Sequence, residues 1–310
     1  MSNYWAPFET RIDAIEDLER AINEILIISK EGRQFAWRGQ VNSDWPLHSS
    51  LYRRLKLTKD KVLPEKDIFE SEGEILKRLH RWGLHNISGR GRLSVLNQLA
   101  LLQHYGAPTR LIDISFNAWV GVFFAVEEKW SNGQLCQEEA DGRLFAIDVT
   151  DRIINENNKY RRWEDELNRP WGDKTKIDQN SWSTTAFAWK PASLDSRIFA
   201  QNGGFLFGGV PSSSAPNGKT LQFPKGPKNE DGNWSIDEVR SACSIAARQH
   251  KFDSVRGATP KNPMYTFRIR AELKKEIRNR LELMYGFKHS TIYPDYTGFS
   301  EFALPEIKRF

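Results

Sequence analysis

"FAWRGQ", residues 35–40, sets an arginine and a glycine directly after three apolar residues that read as the end of a buried strand. Core packing has no use for a guanidinium there, so Arg38 calls for a partner outside the apolar layer. A glycine beside it leaves the backbone open to close approach by a phosphate or carboxylate, which the planar guanidinium fork can grip. The plainer alternative is an exposed arginine at a strand terminus followed by a turn glycine.

Outward from this strand the chain alternates between helical and extended patterns. Upstream, residues 9–30 place Ile12, Ile15, Leu18, Ile22 and Ile25/Leu26 at helical spacing, which predicts a helix closed by Gly32. Downstream, 41–63 reads as a loop with a short helical piece around "HSSLYRRL". Helical patterns follow at 66–85 and about 92–105, the second ended by Gly106 and Pro108. "TRLID" predicts a short strand, "NAWVGVFFAVEEKW" an almost wholly apolar core helix, and "GRLFAIDVT", 142–150, a strand. "DSRIFAQNGGFLFGGV", 195–210, reads as a strand pair or bent strand around Gly203–Gly204, and "PSSSAPNGK" as a turn-rich loop. "MYTFRIRA", 264–271, sets Tyr265, Phe267 and Ile269 on one face and Arg268 and Arg270 on the other, which predicts a strand. A helix follows it, and the C-terminal stretch predicts a closing helix entered through Pro294–Asp295. Residues 151–190 and 211–260 are weakly patterned and read as excursions from the core. Strands interspersed with helices, lacking the glycine-rich signature of a dinucleotide fold, predict an α+β class. The expected form is one domain over 1–310, with small mixed or antiparallel core sheets flanked by helices and an N-terminal helical part.

Composition sets broad limits. Hydrophobic residues make up 39% and charged residues 27%, an ordinary globular balance. Eleven Trp and eighteen Phe are a surplus that suits either a core or a site for flat rings. The net charge of +5 is compatible with an anionic partner, although no basic block stands out. Cys136 and Cys243 have no neighbours at ligand spacing, and the six histidines never form an i,i+4 pair, so no disulfide framework and no structural metal are expected. No basic leader precedes an apolar run, and the longest apolar stretch, "AWVGVFFAV", is too short to span a bilayer. A cytoplasmic location with no membrane partner is the expectation.

The densest chemistry lies in "LLQHYGAPTRLIDISFNAWVGVFFA", 101–125. Gln103, His104, Tyr105, Thr109, Arg110, Asp113, Ser115 and Asn117 crowd together between two apolar helices. Polar groups beside a core must be hydrogen-bonded or face a cleft. Asp113 or Ser115 can cap the following helix, Arg110 can pair with Asp113, and His104 can cap its own helix or act as a general base. Caps and one ion pair do not employ eight polar side chains, so a cleft is expected.

"FAWRGQ" together with "QHYGAPTRLID", Ser115, Asn117 and "FFA" resembles the FRG domain family. "RIFAQNGGF" and the C-terminal "YPDYTGF" extend the resemblance over about residues 33–302. The family more often carries Trp-Thr after the aspartate, and Asn-Pro where Asn117–Ala118 stand here. A weaker similarity reaches to ADP-ribosyltransferases, which place an Arg-Gly at the end of the first core strand. They follow it with a hydroxyl-bearing strand leading into an apolar helix, then a Glu or Gln on a later strand. Arg38–Gly39, Ser115 and Gln201 fall in that order.

That similarity implies an ADP-ribosyltransferase-like fold with NAD as substrate. Arg38 would grip a phosphate or ribose, with Gly39, Gln40, His104, Arg110, Asp113 and Asn117 around the dinucleotide. Ser115 or Thr109 would position the ribose, and Tyr105 or Phe123 would stack the ring. Gln201, or an acid such as Asp195 or the remote Glu301, would sit beside the reacting carbon. The implied partner is a macromolecular acceptor, nucleic acid or protein, with a cognate antitoxin if the protein is a toxin or anti-phage effector. The alternative is a non-catalytic nucleotide or nucleic-acid sensor. A nuclease fits less well, because no close acidic or paired-histidine constellation would hold magnesium.

Overall fold

The computed structural model describes residues 4–29, 32–87, 91–157, 159–191, 196–213, 222–227, 232–253, 260 and 262–304. The chain begins with β1 (Glu9–Ile12), α1 (Ile15–Ser29), β2 (Phe35–Gln40), α2 (Ser50–Lys59) and α3 (Glu65–Arg81). Next come β3 (Asn86–Ile87), β4 (Gly91–Arg92), α4 (Val95–His104), β5 (Ile112–Ser115) and α5 (Ala118–Val126). The middle holds β6 (Lys129–Ser131), β7 (Gln134–Cys136), β8 (Gly142–Asp148), α6 (Gln179–Thr184) and β9 (Phe187–Trp189). Then follow α7 (Ser196–Ala200), β10 (Gly203–Phe207), α8 (Ile236–Ala242), β11 (Arg248–Gln249) and β12 (Pro263–Ile269). The last elements are α9 (Lys274–Tyr285), α10 (His289–Ile292) and α11 (Tyr296–Phe302).

The class is α+β, with a mixed sheet flanked by helices. Eight strands form that sheet in the order β1-β12-β8-β2-β5-β10-β9, with β11 beside β12. β1 and β11 run parallel to β12, and the remaining pairs are antiparallel. The expected small sheets merge because β8 is buried along its whole length. It pairs over six positions with β12 on one edge and over six with β2 on the other. Among the described residues only the β3–β4 and β6–β7 hairpins stand apart from it.

The expected helix over 9–30 divides. Ile12 pairs with Ile269 in the parallel β1–β12 ladder, and the helix starts at Ile15. Residues 195–210 also depart from expectation. Ser196–Ala200 is a short helix, so Gln201 sits in the turn before β10 rather than on a strand. Most of the loop "PSSSAPNGK" and Asp195 lie outside the described residues.

Three apolar clusters cover the sheet. α1, α5 and α9 pack on Trp37, Leu144, Ala146 and Phe267. The opposite face carries Ala36, Phe145, Ile147, Ile112, Ile114 and Met264 under Tyr4, Trp5 and α8. The third cluster corrects the reading of 151–190 as an excursion. Ile154, Trp163, Trp171, Trp182 and Trp189 pack with α4, Phe187, Phe205 and Phe207. Much of the tryptophan surplus is therefore core.

Two local facts position the site. Gly39 lies under α5: a Cβ there would come within 2.7 Å of the Phe124 carbonyl carbon, and closer still to the Gly121 oxygen and the Ala125 nitrogen. The glycine of the Arg-Gly pair is thus demanded by helix-on-strand packing. In addition, β2 and β5 share a single registered pair, Trp37 with Ser115. Antiparallel continuation would have brought residues 38–40 opposite 114–112, but there the strands part, and the sheet splits at Arg38.

Candidate functional site

The split opens into a cavity of about 640 Å³. Its walls include Arg38, Gly39 and Gln40 of β2, Asp113 and Ile114 of β5, and Gly203, Gly204 and Phe205 of β10. α4 contributes Gln103 and His104, the α7 turn Arg197 and Gln201, and the end of α5 Phe124 and Glu127. Trp45, Arg53, Lys129 and Tyr293 also line it.

Arg38 bridges the split. Its Nη1 donates to the Asp113 carbonyl at 2.9 Å and stands 3.8 Å from that residue's Oδ2. Its buried Nε has no hydrogen-bond partner among the described residues, and neither does the buried Oε1 of Gln40 two positions on. Residues i and i+2 of a strand share a face. One buried donor and one buried acceptor on the same strand face are therefore unpaired, and a buried polar group in that state is destabilising. Gln103 steadies Asp113 by donating Nε2 to Oδ1 at 2.7 Å. Arg53 stands close enough that, after burial, the charge of Arg38 is the next influence holding its basicity below the usual arginine range.

The same wall holds a buried carboxylate that sequence reading missed. Glu127 is 4% exposed just past α5. Its Oε1 pairs with Lys129 Nζ at 2.7 Å, and its Oε2 accepts from the Tyr293 hydroxyl at 2.8 Å. Burial and the adjacent Glu127 charge push the Tyr293 hydroxyl well above its ordinary range. Arg197 makes a two-pronged pair with Asp295 at 2.7 and 2.8 Å and lies 5.1 Å over the Tyr293 ring. Asp295 also caps α11 through the Gly298 amide, and the Arg197 hydrogen bonds hold its carboxyl below the usual range. Glu301 is exposed and outside the cavity wall.

Of the residues singled out by sequence, Arg38, Gly39, Gln40, Gln103, His104, Asp113 and Gln201 meet in this cavity, whereas Ser115, Asn117, Thr109, Arg110, Tyr105 and Phe123 do not line it. Ser115 is fully buried; it donates to the Gln201 carbonyl at 2.7 Å and accepts from the Asn117 amide at 2.9 Å. Asn117 caps α5 through the Trp119 amide. Buried Thr109 donates to Gln103 Oε1 and accepts from the Leu111 amide. Arg110 does not pair with Asp113. It is buried beside the stacked Trp171 and Trp182 rings, 5.4 and 5.2 Å from their centroids, and pairs with Glu72 at 2.6 Å and Glu65 at 3.1 Å. Tyr105 is 78% exposed past the end of α4. Phe123 packs edge-on against Phe124 and His289 within the α5 core. These polar groups satisfy the turn between two buried elements, which is why they crowd the sequence. Gln201 reaches the cavity with its amide already donating to the Ile292 carbonyl at 3.0 Å.

Among the described residues no three His, Cys, Asp or Glu gather where they could hold a metal, and no helix is long and apolar enough to cross a membrane. The fold and site therefore define an α+β protein with a guanidinium-lined cleft in a split sheet. The family model of the FRG domain matches residues 33–134, from just before β2 to the β6–β7 hairpin, and supports the FRG family. That segment contains Arg38, Gln40, Arg53, Gln103, Asp113 and Glu127, whereas Arg197, Gln201 and Tyr293 lie beyond it. No curated protein and no solved structure matches the chain.

Proposed function

We propose that the cleft takes NAD as substrate and transfers its ADP-ribose to a macromolecular acceptor, in the role of a toxin or anti-phage effector. The observation that carries this reading is that one cavity joins open guanidinium and amide groups, on Arg38 and Gln40, to a buried carboxylate, Glu127. A volume of about 640 Å³ is ordinary for a ligand of nucleotide size. Arg38 and Arg53 would hold the pyrophosphate, and exposed Trp45 at the wall offers a face for a base.

In the reaction the ribose C1′–N bond breaks and its electron pair leaves with neutral nicotinamide. The ribosyl fragment passes through an oxocarbenium-like state, for which a fixed carboxylate in a low-dielectric wall is the complementary charge. The acceptor's oxygen or nitrogen then bonds to C1′ and loses a proton. The carboxylate is Glu127 rather than Gln201. The net charge of +5 suits a nucleic-acid acceptor.

Nicotinamide release from NAD by the purified protein tests this. Arg38→Ala and Glu127→Gln are each expected to lower the rate by about 100-fold or more. A second reading, a nucleotide sensor, is favoured by the engagement of both Glu127 oxygens, by Lys129 and Tyr293. It predicts NAD binding without nicotinamide release, which would refute the enzymatic reading.

A further inference from the structure

The cleft continues past Arg38. A side chamber of about 220 Å³ shares Arg38, Arg53, Gln103 and Asp113 with the main cavity and adds Arg54 and Gly106. Its walls carry three guanidiniums against one carboxylate, Asp113, whose Oδ1 is already held by Gln103. Arg53 Nη1 donates to the His48 carbonyl and Arg54 Nη2 to the Gly106 carbonyl, each at 2.9 Å. Among the described residues neither has a carboxylate within 4.0 Å. A guanidinium carries five N–H donors, so most of theirs remain available.

Three properties narrow what fits here. The chamber is too small for a whole nucleotide, since sites of that kind start near about 300 Å³. Among the described residues its only ring is buried His48, which offers no exposed face on which a base could stack. Its excess positive charge calls for a compact anion with several acceptor oxygens, and arginine forks match phosphate geometry. It shares Arg38 and Arg53 with the main cavity but not Glu127, which assigns it to the adenosine side of a dinucleotide whose pyrophosphate lies at Arg38 and Arg53.

We infer that this chamber is a phosphomonoester subsite, so that the cleft prefers a dinucleotide with an additional phosphate on its adenosine ribose, NADP, over NAD. The inference rests on the reading of the cleft as a dinucleotide site. Binding of NAD and of NADP to the full chain, measured by calorimetry at one ionic strength, tests it. One new charge-assisted contact to Arg54 and one to Arg53 correspond to a preference of about tenfold or more for NADP. In Arg54→Ala that ratio should fall to about threefold or less. NAD binding as tightly as NADP, or a ratio unchanged in Arg54→Ala, overturns the subsite and leaves the cleft reading standing. Absence of binding by either dinucleotide overturns both.

Discussion

Replacing Gly39 by alanine puts a methyl group into the backbone of α5. The new carbon would lie within 2.7 Å of the Phe124 carbonyl carbon and nearer still to the Gly121 oxygen and the Ala125 nitrogen. All three are main-chain atoms of a helix whose buried face includes Val120, Val122, Phe123 and Val126, so no side chain can swing aside. To reach ordinary contact, α5 must retreat from β2 by about 1 Å, a gap that forfeits a quarter to a half of each dispersion contact across it. Overpacking in a core usually destabilises by about 1–3 kcal/mol, and a rigid obstacle on this scale should exceed that, at about 3–5 kcal/mol. Urea denaturation reads it as a lower midpoint at unchanged slope. Arg38→Ala, one residue away on the opposite strand face, should shift stability by less than about 1 kcal/mol while removing ligand binding. A Gly39→Ala loss below about 1 kcal/mol would show that the glycine serves ligand approach and not helix packing.

Two further perturbations separate structural from functional groups. Arg110→Ala strips Glu72, itself 1% exposed, of its closest cation, leaving Arg169 and the Trp171 indole. Breaking such a buried pair costs about 3–5 kcal/mol, or about 10 °C in melting temperature; a variant that melts normally but loses ligand would restore Arg110 to the binding site. His48 is buried with Nε2 against the Arg240 carbonyl at 2.8 Å, and burial pushes its pKa from the ordinary 6.5 down to about 4. The unfolded chain takes up that proton first, so the associated stability is complete above pH 6.5 and is lost as pH falls toward 4, by about 3 kcal/mol in all. Urea midpoints at pH 7 and pH 4 should therefore lie further apart in the wild type than in His48→Gln, and equal acid losses in both would refute the assignment.

Periodicity made the central strands and long helices readable. β2, β8 and β12 carry continuous apolar or alternating patterns, and α4, α5 and α9 are long enough to repeat theirs. It failed where elements are short or irregular. Five residues, "SRIFA", cannot tell a helix from a strand by spacing. The tryptophans of 151–190 are delivered to their cluster largely from turns and single helical turns, which leave no period to detect. The Arg-Gly strand located the cleft because Arg38 and Gln40 do face it. The neighbouring motif misled in part: Ser115, Asn117, Thr109 and Arg110 look equally polar in sequence, yet satisfy one another, the backbone, or acids more than thirty residues away. Glu127 directly follows "AWVGVFFAV" and falls inside the predicted apolar helix "NAWVGVFFAVEEKW", with nothing to single it out. Only the return of Tyr293 from the far end of the chain encloses it.

A sheet whose halves meet at one registered pair is mechanically two plates on a pin. β1, β12, β8 and β2 pack with α5, while β5, β10 and β9 carry the tryptophan layer and α4. The apolar layer under Tyr4 and Trp5 crosses the pin, with Ala36, Phe145 and Ile147 on one plate and Ile112, Ile114 and Leu206 on the other. The width of the opening is thus held from one side by that shared layer and across the gap by the arginine that spans it.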